Sequence, residues 1–121
     1  MSADPPPGGG PMIQGFAPNG FRVDGKVFHA MLLTPASAAD WSPPALNALN
    51  FSDLQPLIDF RPEFILLGTG AVLVRPPAAL VRALDAIDLG LEPMDSRAAA
   101  RAWGVLRGEG RPIAAAFYPL G

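Results

Sequence analysis

The chain has 121 residues, half of them hydrophobic, and carries nine basic against eleven acidic residues for a net charge of −2. One domain of this length buries most of its apolar surface without disulfide or metal staples. The signs are interspersed along the chain, which excludes the basic footprint of a nucleic-acid binder. The absence of cysteine removes disulfides, thiolate nucleophiles and cysteine-ligated metals from consideration. The longest apolar runs, Phe64–Leu67 and Ile113–Tyr118, fall far short of the roughly 20 residues a membrane span needs.

The N-terminal M-S-A-D-P-P-P-G-G-G has neither the basic start nor the apolar stretch of a secretory signal. Its prolines and glycines present nothing to bury, so residues 1–10 are expected to form a disordered tail, with residues 11–121 as a single domain and a cytoplasmic location as the default.

Ordered structure is expected from Met12-Ile13-Gln14, through a Pro18-Asn19-Gly20 turn, into a hairpin of Phe21–Val23 and Lys26–Leu33 about Asp24-Gly25. That loop pairs Val23 with Lys26 and Phe21 with Phe28, placing the two phenylalanines on one face. Residues 34–41 read as a turn-rich connection. A short helix follows, with Ser52 and Gln55 at capping-box spacing and Pro56 tolerated only in its first turn.

Glu63–Leu67 reads as a strand covered on both faces. After the Gly68–Gly70 turn, Pro76-Pro77 open a helix with Leu80, Leu84 and Ile87 on one side and Gly90 as its stop. Leu91–Met94 is the next strand. Asp95 or Ser96 then caps a helix whose apolar stripe is read as Ala99, Ala102, Val105 and Leu106, with Arg97, Arg101 and Arg107 largely off it. Gly108–Arg111 forms a turn and Ile113–Tyr118 the last strand. Strand, helix, strand, helix, strand is an α/β signature, with a doubly wound parallel sheet compatible with the pattern.

These residues also carry a resemblance. I-Q-G-F and G-F-R-V-D-G at Ile13–Gly25, M-L-L-T-P at Met31–Pro35 and E-F-I-L-L-G-T-G at Glu63–Gly70 come first in the chain. R-P-P at Arg75–Pro77, L-E-P-M-D-S-R-A-A-A-R at Leu91–Arg101, V-L-R-G-E-G-R at Val105–Arg111 and the terminal A-A-A-F-Y-P-L complete the set. From Met12 onward the chain resembles the small α/β family that includes the mitochondrial respiratory complex I assembly factor and an adipogenesis-associated domain protein, whose prokaryotic members are mostly of unknown function. The resemblance implies a compact three-layer α/β domain with a mixed central sheet, an N-terminal hairpin and two main helices. It also implies a protein partner rather than a substrate. Where the family carries Asp-Thr, Cys-Arg-Thr and Asn, this chain has Asp95-Ser96, Ala100-Arg101-Ala102 and Gly104.

No set of residues composes a catalytic centre, a metal site or a cofactor site. Gly68-Thr69-Gly70 follows a buried strand, where free amides can cradle an anion. A Rossmann fingerprint, however, would need glycine at Leu73, and no Lys-Ser/Thr follows for a P-loop. A ligand crevice at the carboxyl ends of the strands would combine Gly68, Thr69 and Gly70 with Asp95, Ser96 and Arg97, as a small-molecule or nucleotide site. The competing reading makes the glycines a tight turn and Asp95 or Ser96 a helix cap. His29, the single histidine, is expected to be partly buried and structural. Glu92 and Asp95 have opposite strand parity, which makes a poor acid–base pair. Trp41 and Trp103 are candidate anchors for a protein partner, with core packing the alternative. The reading favoured on balance is a noncatalytic protein-binding or assembly-assisting protein.

Overall fold

The computed structural model describes residues 9–121. Residues 1–8 of the expected tail lie outside the described residues. From Gly9 the chain already touches the domain, because the Gly9 carbonyl accepts a hydrogen bond of 2.7 Å from Arg107 Nη2.

The first three strands, β1 (Ile13–Ala17), β2 (Gly20–Val23) and β3 (Lys26–Phe28), form an antiparallel meander. Asp24 and Gly25 both take positive φ, 51° and 83°, as a two-residue hairpin turn of matching twist requires. Phe21 stands opposite Phe28 and Val23 opposite Lys26, the register expected from the loop length. The second strand is shorter than expected. The chain bends at His29-Ala30, and β4 (Met31–Thr34) crosses into a second sheet.

There β4 pairs with β5 (Ser37–Asp40) around a turn in which Thr34 Oγ1 accepts from the Ala36 and Ser37 amides, both at 3.1 Å. Residues 34–41, read as a connection, thus contain a strand. Ser37, Ala39 and Asp40 are exposed, so β5 carries none of the apolar alternation that reveals a half-buried strand.

Two 3₁₀ turns, Leu46–Ala48 and Phe51–Leu54, lead into α1 (Gln55–Phe60). The capping box is formed by Asn50 and Asp53 rather than by Ser52 and Gln55. Asn50 Oδ1 accepts from the Asp53 amide at 3.3 Å, and Asp53 Oδ2 from the Asn50 amide at 2.9 Å. Asn50 has the extended backbone that an N-cap needs, whereas Ser52 is already inside the turn.

Strands β6 (Phe64–Gly68) and β7 (Gly90–Met94), helices α2 (Ala78–Asp85) and α3 (Ser96–Gly108), and β8 (Ala114–Phe117) complete the domain. The five-stranded sheet has the order β5-β4-β8-β6-β7; β6 runs parallel to both neighbours and β4 antiparallel to β5 and β8. The central sheet is therefore mixed, as the resemblance implied, and not wholly parallel.

Side-chain alternation divides the interior in two. Leu32, Ile65, Leu67, Ala114 and Ala116 face α1 and α2; Met31, Leu33, Leu66, Ala115 and Phe117 face α3 and the small sheet. The middle strand β8 contributes Ala114, Ala115 and Ala116, all fully buried.

Two helix readings are corrected. α2 stops through Asp88, which takes the left-handed conformation (φ 58°), while Gly90 opens β7 and Ile87 is exposed. Aspartate tolerates that conformation, so the turn comes two residues before the glycine. On α3 the buried face is Ser96, Ala99, Ala100, Trp103 and Arg107, and Val105 is exposed. The bulk of Trp103 sets that face, so treating it as a surface anchor rotates the stripe.

Candidate functional site

Strands β6 and β7 send their carboxyl ends to helices on opposite faces of the sheet, the arrangement that opens a ligand crevice in many α/β proteins. Here the opening is stitched. The Thr69 amide donates to the Met94 carbonyl at 2.9 Å, and the Ser96 amide to the Gly70 carbonyl at 2.8 Å. Ser96 Oγ accepts from the Gly70 amide and donates to the Tyr118 carbonyl, both at 2.8 Å.

The structure thus brings Gly68, Thr69, Gly70, Asp95 and Ser96 together; Gly70 and Ser96 bond each other, while the Thr69 and Asp95 side chains bond backbone groups of neighbouring residues. Ser96 is fully buried, and a Cβ added to Gly68 would stand 2.8 Å from its Oγ. Gly70 has φ +104°, the positive value a sharp exit from the strand requires. Asp95 caps α3, its Oδ1 accepting from the Ala98 amide at 2.9 Å. Arg97 points elsewhere, its guanidinium 4.7 Å from the centre of the Phe16 ring on the small sheet.

The tryptophans separate. Trp103 is fully buried and donates its indole N–H to the Pro11 carbonyl at 3.0 Å, so it offers no surface to a partner; its size and polar edge are satisfied in the core. Trp41 is half-buried and packs edge-on against Tyr118, ring centres 5.2 Å apart. The Tyr118 hydroxyl donates to the Pro44 carbonyl at 2.8 Å, and burial, helped by the charge of Asp53, pushes its pKa up to about 12. His29 is exposed, contrary to expectation, because β3 ends before it; its Nδ1 lies 3.1 Å from the Asn19 carbonyl oxygen.

The surface feature that sequence reasoning missed follows directly on the stitched turn. Val72, Leu73 and Val74 are 65%, 63% and 42% exposed, three consecutive apolar side chains outside any helix or strand. Their loop is anchored from below. Thr69 Oγ1 donates to the Val72 carbonyl at 2.7 Å, with the Met94 carbonyl a second acceptor at 3.2 Å, and accepts from the Val74 amide at 3.0 Å. Beside this ridge lies an open groove of about 610 Å³ between the loop, α2 and β7, walled by Leu73, Pro76, Val81, Leu91 and Pro93 and carrying Arg75 and Arg82. An apolar triplet between a glycine turn and a Pro-Pro pair, belonging to no predicted element, was the available signal. Among the described residues no group of three or more His, Asp or Glu side chains is arranged to hold a metal ion, and no helix is long and apolar enough to cross a membrane.

Fold and surface together define a three-layer mixed α/β domain in which hydrogen bonds from Thr69 to Met94 and between Gly70 and Ser96 tie the ends of the central strands together. A family model described as a protein of unknown function (DUF498/DUF598) matches residues 13–118, and the chain belongs to that family. An uncharacterised protein of Rhodobacter capsulatus is 35% identical over 111 residues, covering 89% of this chain and 84% of its own length. NADH dehydrogenase [ubiquinone] 1 alpha subcomplex assembly factor 3 of Danio rerio is 27% identical over 113 residues; the match covers 91% of this chain and 65% of the fish protein. A crystal structure of a Bordetella parapertussis protein superposes with a TM-score of 0.80 at 31% identity, over 90% of this chain and 95% of the other. The resemblance read from the motifs is thereby established, and with it the link to an assembly factor.

Proposed function

We propose that the protein is a noncatalytic, cytoplasmic protein-binding module that assists the assembly of a larger complex, with the Val72–Val74 ridge as its contact surface. The exposure of the ridge carries the reading. Apolar side chains grouped on a monomer's surface mark interaction sites, and a loop pinned by the Thr69 hydroxyl presents them at little cost in ordering. The Danio rerio relative, an assembly factor by name, supports the same class of role. The small-molecule reading of Gly68–Gly70 with Asp95–Arg97 has less to draw on, since the hydroxyls and amides it needs are engaged within the chain.

Site-specific photo-crosslinking tests the proposal. Benzoylphenylalanine in place of Leu73 is expected to capture a discrete partner in cells, whereas the same residue in place of exposed Val105, on α3, is not. Capture from both positions alike, or from neither, would reject the ridge as the contact surface.

A further inference from the structure

We infer that the groove beside the ridge takes an amphipathic helix of a partner protein bearing carboxylates next to its apolar side chains, and that Arg75 and Arg82 select it by charge. This rests on the partner-binding reading above and adds the chemistry of the partner.

Every ionisable side chain lining the groove is basic. Neither Arg75 nor Arg82 has a carboxylate within 4.0 Å among the described residues, where the ion pairs are Lys26–Asp40 and Arg111–Glu63. Guanidinium groups stay charged at any physiological pH and offer forked donors that fit carboxylates. Two of them, unneutralised at the rim of an apolar trough, complement an apolar occupant with acidic flanks and repel a basic one.

The occupant's size follows from the continuity of the surface. Leu73 belongs both to the groove and to the ridge, so the apolar strip runs beyond the groove to Val72 and Val74. A small molecule seated in the groove would leave that strip wet, whereas a polypeptide segment covers both.

Its backbone form follows from β7, the edge strand of the sheet. The Met94 carbonyl accepts from the Thr69 amide and so points inward to β6. By alternation the backbone groups of Leu91 and Pro93 face outward, and Pro93 has no N–H. An added strand would meet a gap in its hydrogen-bond ladder, which is how edge prolines discourage pairing. A helix satisfies its own backbone and needs only side-chain contacts, the groove-binding mode of recognition.

The test uses two fluorescein-labelled amphipathic peptides of matched length, one of leucine and glutamate, the other of leucine and lysine, titrated against the full chain. The Leu/Glu peptide is expected to bind at least about tenfold tighter and to weaken as salt is raised. R75E/R82E is expected to invert the preference and R75Q/R82Q to abolish it, each with an unchanged melting temperature because both arginines are exposed. No binding of the Leu/Glu peptide, equal binding of the two, or a preference that survives R75E/R82E would overturn the inference. So would tighter binding to phosphatidylglycerol vesicles than to the peptide, or a concentration-dependent dimer lost in Leu73→Asp, since these assign the surface to a membrane or a second copy. Crosslinking at position 73 that persists in R75E/R82E would leave the partner-binding reading standing while charge selection falls.

Discussion

Ser96 and Gly70 bond each other twice, amide to carbonyl and amide to hydroxyl, each at 2.8 Å. Through the Ser96 hydroxyl the clasp continues to the Tyr118 carbonyl, so one buried side chain joins the ends of β6 and β8 to the start of α3. Ser96→Ala leaves the buried Gly70 amide without its hydroxyl partner. A loss of about 2 kcal/mol is expected in urea unfolding; a change within error would show that the clasp is idle.

The two glycines of the turn should fail for different reasons. At Gly68 a methyl group meets Ser96 Oγ at 2.8 Å and Phe117 Cδ2 at 3.0 Å, so alanine overpacks the joint and costs roughly 1–3 kcal/mol. At Gly70 the obstacle is φ +104°, a conformation alanine resists by about 1 kcal/mol or more. Combining Gly68→Ala with Ser96→Ala should recover part of the first cost, and combining Gly70→Ala with Ser96→Ala none of the second, as two double-mutant cycles of melting curves would reveal.

Thr69→Val keeps the shape of the side chain and deletes the hydroxyl that holds the Val72 carbonyl and the Val74 amide. Faster hydrogen exchange at the Val74 amide is expected, with a stability loss of about 1 kcal/mol. Capture of the partner at position 73 should weaken more than global stability explains. Unaltered exchange would mean that the ridge is held by other contacts.

Tyr118 sets an alkaline limit. Its phenol is protonated in both states below pH 10, the usual value, and burial raises the folded pKa to about 12. Between those values the unfolded chain releases a proton that the folded chain keeps, so stability falls as pH rises from about 10 towards 12. In Tyr118→Phe that decline is expected to flatten, while stability at neutral pH drops by about 1 kcal/mol through loss of the bond to Pro44. Equal pH slopes for the two proteins would contradict the assignment.

Arg107 is almost wholly buried, with Nη1 donating to the Arg111 carbonyl at 2.6 Å and Nη2 to the Gly9 carbonyl. Truncation that removes residues 2–10 takes away an acceptor from a buried cation and should lower stability by about 1–3 kcal/mol relative to truncation of residues 2–8. Identical melting temperatures for the two truncations would show that the bond to Gly9 contributes nothing.

What the sequence revealed follows from where local chemistry and tertiary packing agree. Asp24-Gly25 dictated both turn and register, and Glu63–Leu67 announced the strand observed at Phe64–Gly68; each signal is local and strong. Strand β5 was hidden because Ser37, Ala39 and Asp40 remain exposed and its pairing with β4 is made by backbone. The face of α3 was misread for the opposite reason. Arg107 looks solvated by composition, yet in the interior the carbonyls of residues 9 and 111 accept hydrogen bonds from its guanidinium. At the turn, the sequence offered Thr69 and Ser96 as parts of one crevice but could not show that both hydroxyls bond backbone groups of the chain. The groove was invisible because Arg75, Arg82, Leu91 and Pro93 come from three separate segments.

The alanines of β8 act as a spacer for the whole domain. Two one-carbon side chains, Ala114 and Ala116, let the helical layer of α1 and α2 draw close to the sheet with bulk supplied by neighbours such as Leu57, whereas on the other face Ala115 leaves room beside Trp103 and Phe117 of the same strand supplies bulk itself against Phe21. The thickness of the molecule is therefore metered at its midline. Ala114 and Ala116 gauge one half and Ala115 the other, so a larger residue at any of them cannot be absorbed by a single rotamer change.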